Sequence, residues 1–125
     1  MANEITLNFR FDCINGTYVP GAINISGLQI DQAAQGEAGG VVSVTTGDTI
    51  TLSKTGLTDP GVLYLRNVDA TTTKVILWGF TTDTLHCELR SDEFAFIRPT
   101  TAAVVYAIQS VGAGVAKMHY RWLED

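Results

Sequence analysis

Hydrophobic side chains in this sequence recur at every second residue, and that period restricts the chain to extended strands. Ile5, Leu7, Phe9 and Phe11 alternate with Thr6, Asn8, Arg10 and Asp12. Successive side chains of a strand point to opposite faces, so such a run has one apolar face and one wet face. The same period runs through residues 61–99. There Leu63 and Leu65, the run Val75-Ile76-Leu77-Trp78, the set Leu85, Cys87 and Leu89, and the pair Phe94 and Phe96 are cut by short polar turns. A helix needs apolar residues three and four apart, and this stretch supplies almost none of that spacing. Its four runs read as a meander of antiparallel strands. The closing segment repeats the pattern, with Met118, Tyr120 and Trp122 on one face and Lys117, His119 and Arg121 on the other.

The interruptions are as informative as the runs. Ile23 and Ile25 are odd, Leu28 and Ile30 even, and Ser26-Gly27 lies between them. One extra residue at a glycine resets the alternation in this way, which predicts a β-bulge. Asn15-Gly16 turns the chain before that strand. Residues 32–40, ending in two glycines, read as a flexible loop with one helical turn over 32–35 as an alternative. Val41, Val42 and Val44 open a strand, Gly47-Asp48 makes a hairpin-like break, and Ile50 and Leu52 continue after it. Residues 103–108 read as a central strand and 109–114 as a glycine turn. Counted this way, eight to ten strands recur at a spacing of about 8–12 residues, the signature of an all-β antiparallel sandwich. A jelly-roll-like arrangement fits the count. With 125 residues, no internal repeat and no linker, residues 1–125 are expected to form a single β-sandwich domain with a core that needs no staples.

Composition removes several function classes. Net charge is −5 and only 17% of residues are charged, so no basic field attracts a phosphate backbone and nucleic acid is not an expected partner. No run approaches the roughly 18–20 apolar residues that span a bilayer, and no basic stretch followed by an apolar run marks export, so neither a membrane nor secretion is expected. Cys13 and Cys87 share no metal or redox spacing and read as free, buried thiols. His86 and His119 sit opposite the apolar residues of their strands. Cys87, next to His86, points to the other face, so the two cannot hold one ion. Asp12, Asp48, Asp59, Asp69, Asp83 and Asp92 fall at turns, where a carboxylate bonds to nearby backbone N–H groups, and no calcium-loop pattern links them. There is no G-x-S-x-G elbow, and Gly112-Ala113-Gly114 is a lone G-x-G in a hairpin with no helix after it. The expectation is a non-enzymatic protein with no cofactor and no metal. Asn15-Gly16-Thr17 and Asn24-Ile25-Ser26 match the glycosylation pattern and read as chance without export. Tyr64, Trp78, Tyr106, Tyr120 and Trp122 could line a sugar-binding face, although core packing and subunit contact are commoner fates for aromatic rings in a sandwich.

One stretch resembles a known group. Gly61-Val62-Leu63-Tyr64-Leu65-Arg66-Asn67-Val68-Asp69-Ala70-Thr71, then Leu85-His86-Cys87-Glu88-Leu89-Arg90, then Glu93-Phe94-Ala95-Phe96-Ile97-Arg98 resemble the small β-sandwich decoration, or cement, proteins of tailed bacteriophages. In that group a "yLrNlDaT" strand and turn, a hairpin with Pro-Gly-Glu, and a closing aromatic strand ending in acidic residues occur together. Here the closing strand is Met118-His119-Tyr120-Arg121-Trp122-Leu123-Glu124-Asp125, and Ser91-Asp92 stands where the pattern has Pro-Gly. The resemblance covers roughly the second half of the chain. It implies a virion component on the outer capsid surface, made in the bacterial cytoplasm. Such a protein bridges neighbouring major capsid protein subunits as a homo-oligomer, expected to be a trimer. A tail, baseplate or fibre-adaptor module and a carbohydrate-binding sandwich for host attachment are the alternatives. The residues expected at subunit or capsid interfaces are Ile5, Leu7, Phe9, Phe11, Trp78, Tyr120 and Trp122. A free first strand also invites pairing with a neighbouring chain.

Overall fold

A computed structural model describes residues 3–11, 23–32 and 36–124. Ten strands run through them: β1 (Asn3–Phe11), β2 (Ile23–Gln32), β3 (Glu37–Val44), β4 (Ile50–Thr51), β5 (Pro60–Asn67), β6 (Val75–Gly79), β7 (Cys87–Leu89), β8 (Phe94–Ile97), β9 (Tyr106–Val111) and β10 (Ala116–Glu124). The chain divides into two compact units, Met1–Gln35 and Gly36–Asp125.

The first unit contains the antiparallel ribbon β1-β2. Its register opposes Ile5 to Ile30, Leu7 to Leu28 and Phe9 to Ile25. Residues directly opposite share a face, so these six apolar side chains lie on one side of the ribbon. The shift between Leu7 and Phe9 leaves Ser26 and Gly27 facing the single residue Asn8, which is the bulge that the change of phase predicts. Gly27 takes φ +68°, and its N–H donates to Asn8 Oδ1 at 2.9 Å. The bulge keeps Leu28 and Ile30 on the same face as Ile25 although their parity differs. Cys13, Asp12, the Asn15-Gly16 turn, the Asn15-Gly16-Thr17 pattern, the Phe11 side chain, the helical turn over 32–35 and the terminal Asp125 lie outside what is described.

The second unit is an all-β sandwich of two four-stranded antiparallel sheets, ordered β3-β10-β5-β8 and β4-β9-β6-β7. Its pairing is nested: β3 with β10, β4 with β9, β5 with β8, and β6 with β7, while β10 also pairs β5 and β9 also pairs β6. Residues 61–99 are therefore not a meander. β5 and β8 lie in one sheet and β6 and β7 in the other, so the chain crosses between sheets on either side of the β6-β7 hairpin. The glycine turn at Gly112 to Gly114 likewise joins two sheets, not two paired strands, and β9 lies three residues later than the run 103–108 suggests. Alternation alone cannot distinguish these cases, because period two reports a strand and not its partner.

The core lies between the sheets and draws Val44, Leu63, Leu65, Ile76, Leu89, Ala107, Met118 and Trp122 from both. β10 shows strict alternation, its even residues buried and its odd ones outward. Gly39 and Gly40, expected in a loop, belong to β3 and pair with Arg121 and Tyr120. A Cβ at Gly39 would stand 2.2 Å from the Tyr120 carbonyl oxygen, so the close approach of β3 to β10 requires glycine there.

Candidate interaction surface

The residues that carry the family-like pattern are structural. Asn67 ends β5 with its side chain fully buried. Its Nδ2 donates to the carbonyls of Lys74 at 3.0 Å and Leu89 at 3.1 Å, and its Oδ1 accepts the Asp69 N–H at 3.1 Å. One amide thus ties the β5–β6 crossover to β7. Asp69 Oδ1 accepts the Thr71 N–H at 2.9 Å, and Oδ2 meets Lys74 Nζ at 3.1 Å. The Thr71 N–H, with help from Lys74, holds the Asp69 carboxyl below the usual range against the opposing effect of burial. Lys74 Nζ also donates to the Val115 carbonyl at 2.8 Å, and Ser91 Oγ to the Asp69 carbonyl at 2.6 Å. The Asn, Asp and Thr of the pattern are the groups that make this crossover.

Its Pro-Gly position has a geometric explanation too. The Glu93 N–H returns to the Arg90 carbonyl at 3.0 Å, closing a four-residue turn whose third residue, Asp92, has φ +65°. A type II turn needs positive φ there and favours glycine. Asp92 occupies the glycine position and holds Arg66 through Oδ1 at 3.1 Å. The opposite end of the sandwich is fixed by Glu124. Its Oε1 accepts the N–H groups of Thr58 at 2.6 Å and Asp59 at 3.2 Å. These bonds, joined by the Gly36 N–H, keep its carboxyl below the ordinary value. Gln109, buried between β9 and β10, accepts the Ala116 N–H at 2.8 Å and donates to the Val111 and Gly112 carbonyls at 3.2 and 2.9 Å.

The expected interface residues fall into two groups. Trp78, Tyr120 and Trp122 are core residues, 6%, 7% and 0% exposed, and the Trp122 indole N–H donates to the Leu52 carbonyl at 3.2 Å. Ile5, Leu7 and Phe9 lie on the apolar face of the ribbon. Two surfaces are candidates for contact. One is that ribbon face, where Phe9, Ile25 and Leu28 are 41–48% exposed. The other is the outward face of the β3-β10-β5-β8 sheet, which the sequence reading did not single out. Across it the register aligns Val41, His119, Arg66 and Phe94 in one row and Gly39, Arg121, Tyr64 and Phe96 in the next. The Tyr64 ring meets Phe94 at 6.5 Å and the edge of His119 at 5.6 Å. Val41 and Phe94 are 63% and 53% exposed. Aromatic rings with arginine on a rigid sheet are the composition of protein interfaces. The signal was present in the alternation: Arg66, Lys117, His119 and Arg121 mark the outward positions of β5 and β10.

Other chemistry has less to build on. No group of three or more metal-ligating side chains occurs among the described residues. His86 and Cys87 are exposed, so Cys87 is free as expected but not buried. Trp78 pairs with it from the neighbouring strand, and a three-residue strand at the sheet margin leaves the thiol open. A shallow cleft beside residues 51–57 includes Lys54, whose ammonium is turned to the Thr101 and Ala103 carbonyls and stands 5.5 Å from the Trp122 ring. Comparison with protein-family models, curated proteins and solved structures gives no match.

Proposed function

We propose that this protein is a non-enzymatic virion protein of a tailed bacteriophage, a decoration protein that bridges neighbouring major capsid subunits on the outer shell as a trimer. The observation that carries the reading is the nested pairing of β3 to β10. Winding a long hairpin of four nested strand pairs is one way to build a jelly roll, an architecture used by capsid domains and lectins, and the pairing here supports that reading. Fold alone does not fix function, so the argument also rests on what the side chains do. The polar residues of the family-like pattern are engaged in holding crossovers and turns, which suits a rigid scaffold. A cement protein needs that rigidity, because it acts by spanning several shell subunits and summing small contacts. An acidic chain of net charge −5 also suits a surface that faces away from packaged DNA. A sugar-binding reading has lost Trp78, Tyr120 and Trp122 to the core.

The test is addition of the purified protein to expanded shells of the phage that encodes it, with co-sedimentation and electron cryo-microscopy. Stoichiometric density over capsomer junctions is the expected result. A strict monomer that stays in the supernatant overturns the proposal, and density confined to the tail moves the protein to the tail, baseplate or fibre-adaptor class.

A further inference from the structure

We infer that the open edge of β3 binds an extended segment of another protein, which joins the β3-β10-β5-β8 sheet as an added antiparallel strand. The two sheets of the sandwich have β3, β8, β4 and β7 at their edges. Three of these are too short to serve as a template: β4 has two residues, β7 three and β8 four. β3 has eight, in the sequence EAGGVVSV, and its register with β10 runs unshifted from Val44 to Glu37. Long edges are ordinarily blunted by lysine, proline or a bulge, because their unpaired N–H and C=O groups recruit other strands. β3 carries none of the three, and among the described residues it pairs with β10 alone.

Parity fixes which groups are open. The Glu124 N–H donates to the Gly36 carbonyl at 2.9 Å, and the ladder continues from there with Glu37 opposite Leu123. Alternate residues of an antiparallel strand bond to the same neighbour, so Ala38, Gly40, Val42 and Val44 bond to β10. Glu37, Gly39, Val41 and Ser43 turn their N–H and C=O groups to the open edge. All four lie on the exposed side of β3, where Val41 is 63% exposed.

The same parity describes the segment. Its residues that bond to the edge lie on the outward face, opposite Glu37, Gly39, Val41 and Ser43. Those between them stand beside Ala38 and Val42, which pack against the core, and must be apolar. Gly39 has no side chain, and a shallow groove lined by Glu37, Ala38, Gly39, Gly40 and Arg121 lies beside it. An aromatic ring opposite Gly39 fills that space and meets the Arg121 guanidinium, which the register places next to Gly39 on β10. Area decides between such a segment and a second copy of the chain. An edge about 27 Å long and one β-layer of about 10 Å deep gives roughly 270 Å² per partner. Two folded bodies need roughly 800 Å² each. Strand addition does not depend on such an area, since main-chain hydrogen bonds supply the affinity and alternate side chains the specificity. The inference requires no shell, so it stands or falls separately from the virion reading.

The probe is the synthetic peptide Lys-Val-Thr-Val-Tyr-Val-Thr-Val-Lys with blocked ends, whose tyrosine aligns with Gly39 and whose valines face inward. Two N-methylated forms are opposite controls. Methyl groups on the threonine and tyrosine amides remove the donors aimed at β3, whereas methyl groups on the central valine amides point away from it. Amide hydrogen exchange of the full chain is followed by NMR with each peptide. In the protein alone, Gly39, Val41 and Ser43 are expected to exchange fast and Ala38, Gly40 and Val42 slowly. The unmethylated and valine-methylated peptides, at about ten times their dissociation constants, are expected to slow Gly39, Val41 and Ser43 about 10-fold. The form methylated on threonine and tyrosine is expected to leave them unchanged. Ser43→Pro deletes one edge donor where an edge strand tolerates proline, and is expected to weaken peptide binding about 5-fold. Continued protection of Ala38, Gly40 and Val42 reports that this variant is folded, and the methylated pair tests the wild type if it is not. Unchanged exchange at about 1 mM peptide overturns the inference, since that is the weak limit of specific binding. So does equal binding of the two methylated forms. Slow exchange of Gly39, Val41 and Ser43 in the protein alone also overturns it, because the edge is then already covered, by a second copy if dilution restores fast exchange and by the same chain if it does not.

Discussion

Replacing Asn67 with alanine is expected to be among the most damaging single changes in the sandwich, for reasons that can be worked out bond by bond. The side chain is fully buried and makes three hydrogen bonds, two to carbonyls of Lys74 and Leu89 and one from the Asp69 N–H. Truncation leaves those backbone groups without this partner inside the fold. Each unsatisfied buried group costs about 1–3 kcal/mol, and since a carbonyl has a second lone pair the two acceptors sit at the low end, for a total of about 3–4 kcal/mol. A domain of this size is stable by about 5–15 kcal/mol, so about a fifth or more of the total is at stake. At about 4–8 °C per kcal/mol the midpoint should fall by roughly 12–32 °C. Asn67→Leu fills the same volume without the polar atoms and is expected to lose nearly as much, which separates hydrogen bonding from cavity formation. Urea and thermal unfolding followed by circular dichroism measure both. A loss below about 1 kcal/mol in either variant would refute the reasoning, because it would mean that water satisfies groups that the fold has closed off.

Asp92→Gly relieves a left-handed residue and gives up an exposed pair with Arg66, so a small gain of about 0.5–1 kcal/mol is expected, whereas Asp92→Ala should destabilise; chemical denaturation midpoints of the two variants must move in opposite directions. Asp69 and Glu124 both have carboxyls held below their ordinary values of 3.8 and 4.5. Their stabilisation is complete above about pH 4.5 and is lost as pH falls through the lowered folded-state values. Urea midpoints measured from pH 7 down to pH 2.5 should decline over that acid window, and Glu124→Gln should flatten the decline while lowering stability at pH 7. Gly39→Ala places a methyl against the Tyr120 carbonyl, and hydrogen exchange should show β3 opening while β6 and β9 keep their protection.

The sequence announced its strands well because alternation is a local signal. β1, β10 and the bulge at Ser26-Gly27 could all be read from side-chain parity alone. Pairing could not, since Leu65 and Ile76 look alike whether their strands are neighbours or lie in opposing sheets. β3 was hidden for a different reason. Gly39 and Gly40 carry no side chains to alternate, and Gly39 is glycine because the β10 backbone comes close, not because the chain turns. The interface residues show the limit most clearly. Parity puts Tyr120 and Trp122 on one face of β10 but does not say whether that face meets the second sheet or a neighbour. The basic residues on the other parity of β10, Lys117 and Arg121, point outward and identify the aromatic side as the interior. The turn at Asp92 was legible only as a departure from Pro-Gly, and its meaning came from the backbone angle.

The position of β10 between β3 and β5 bears on how the chain is made. Val44 pairs with Ala116, and Glu37 with Leu123, so the first strand of the sandwich leaves the ribosome long before its partner exists. At about 5–20 residues per second, that delay is roughly 4–17 s. During it the inner faces of β3 and β5, with Val42, Val44, Leu63 and Leu65, have no strand between them. A nascent chain stalled before β10 is thus a client for a chaperone and not a smaller domain, and synthesis rate through the last third of the message becomes part of the folding problem.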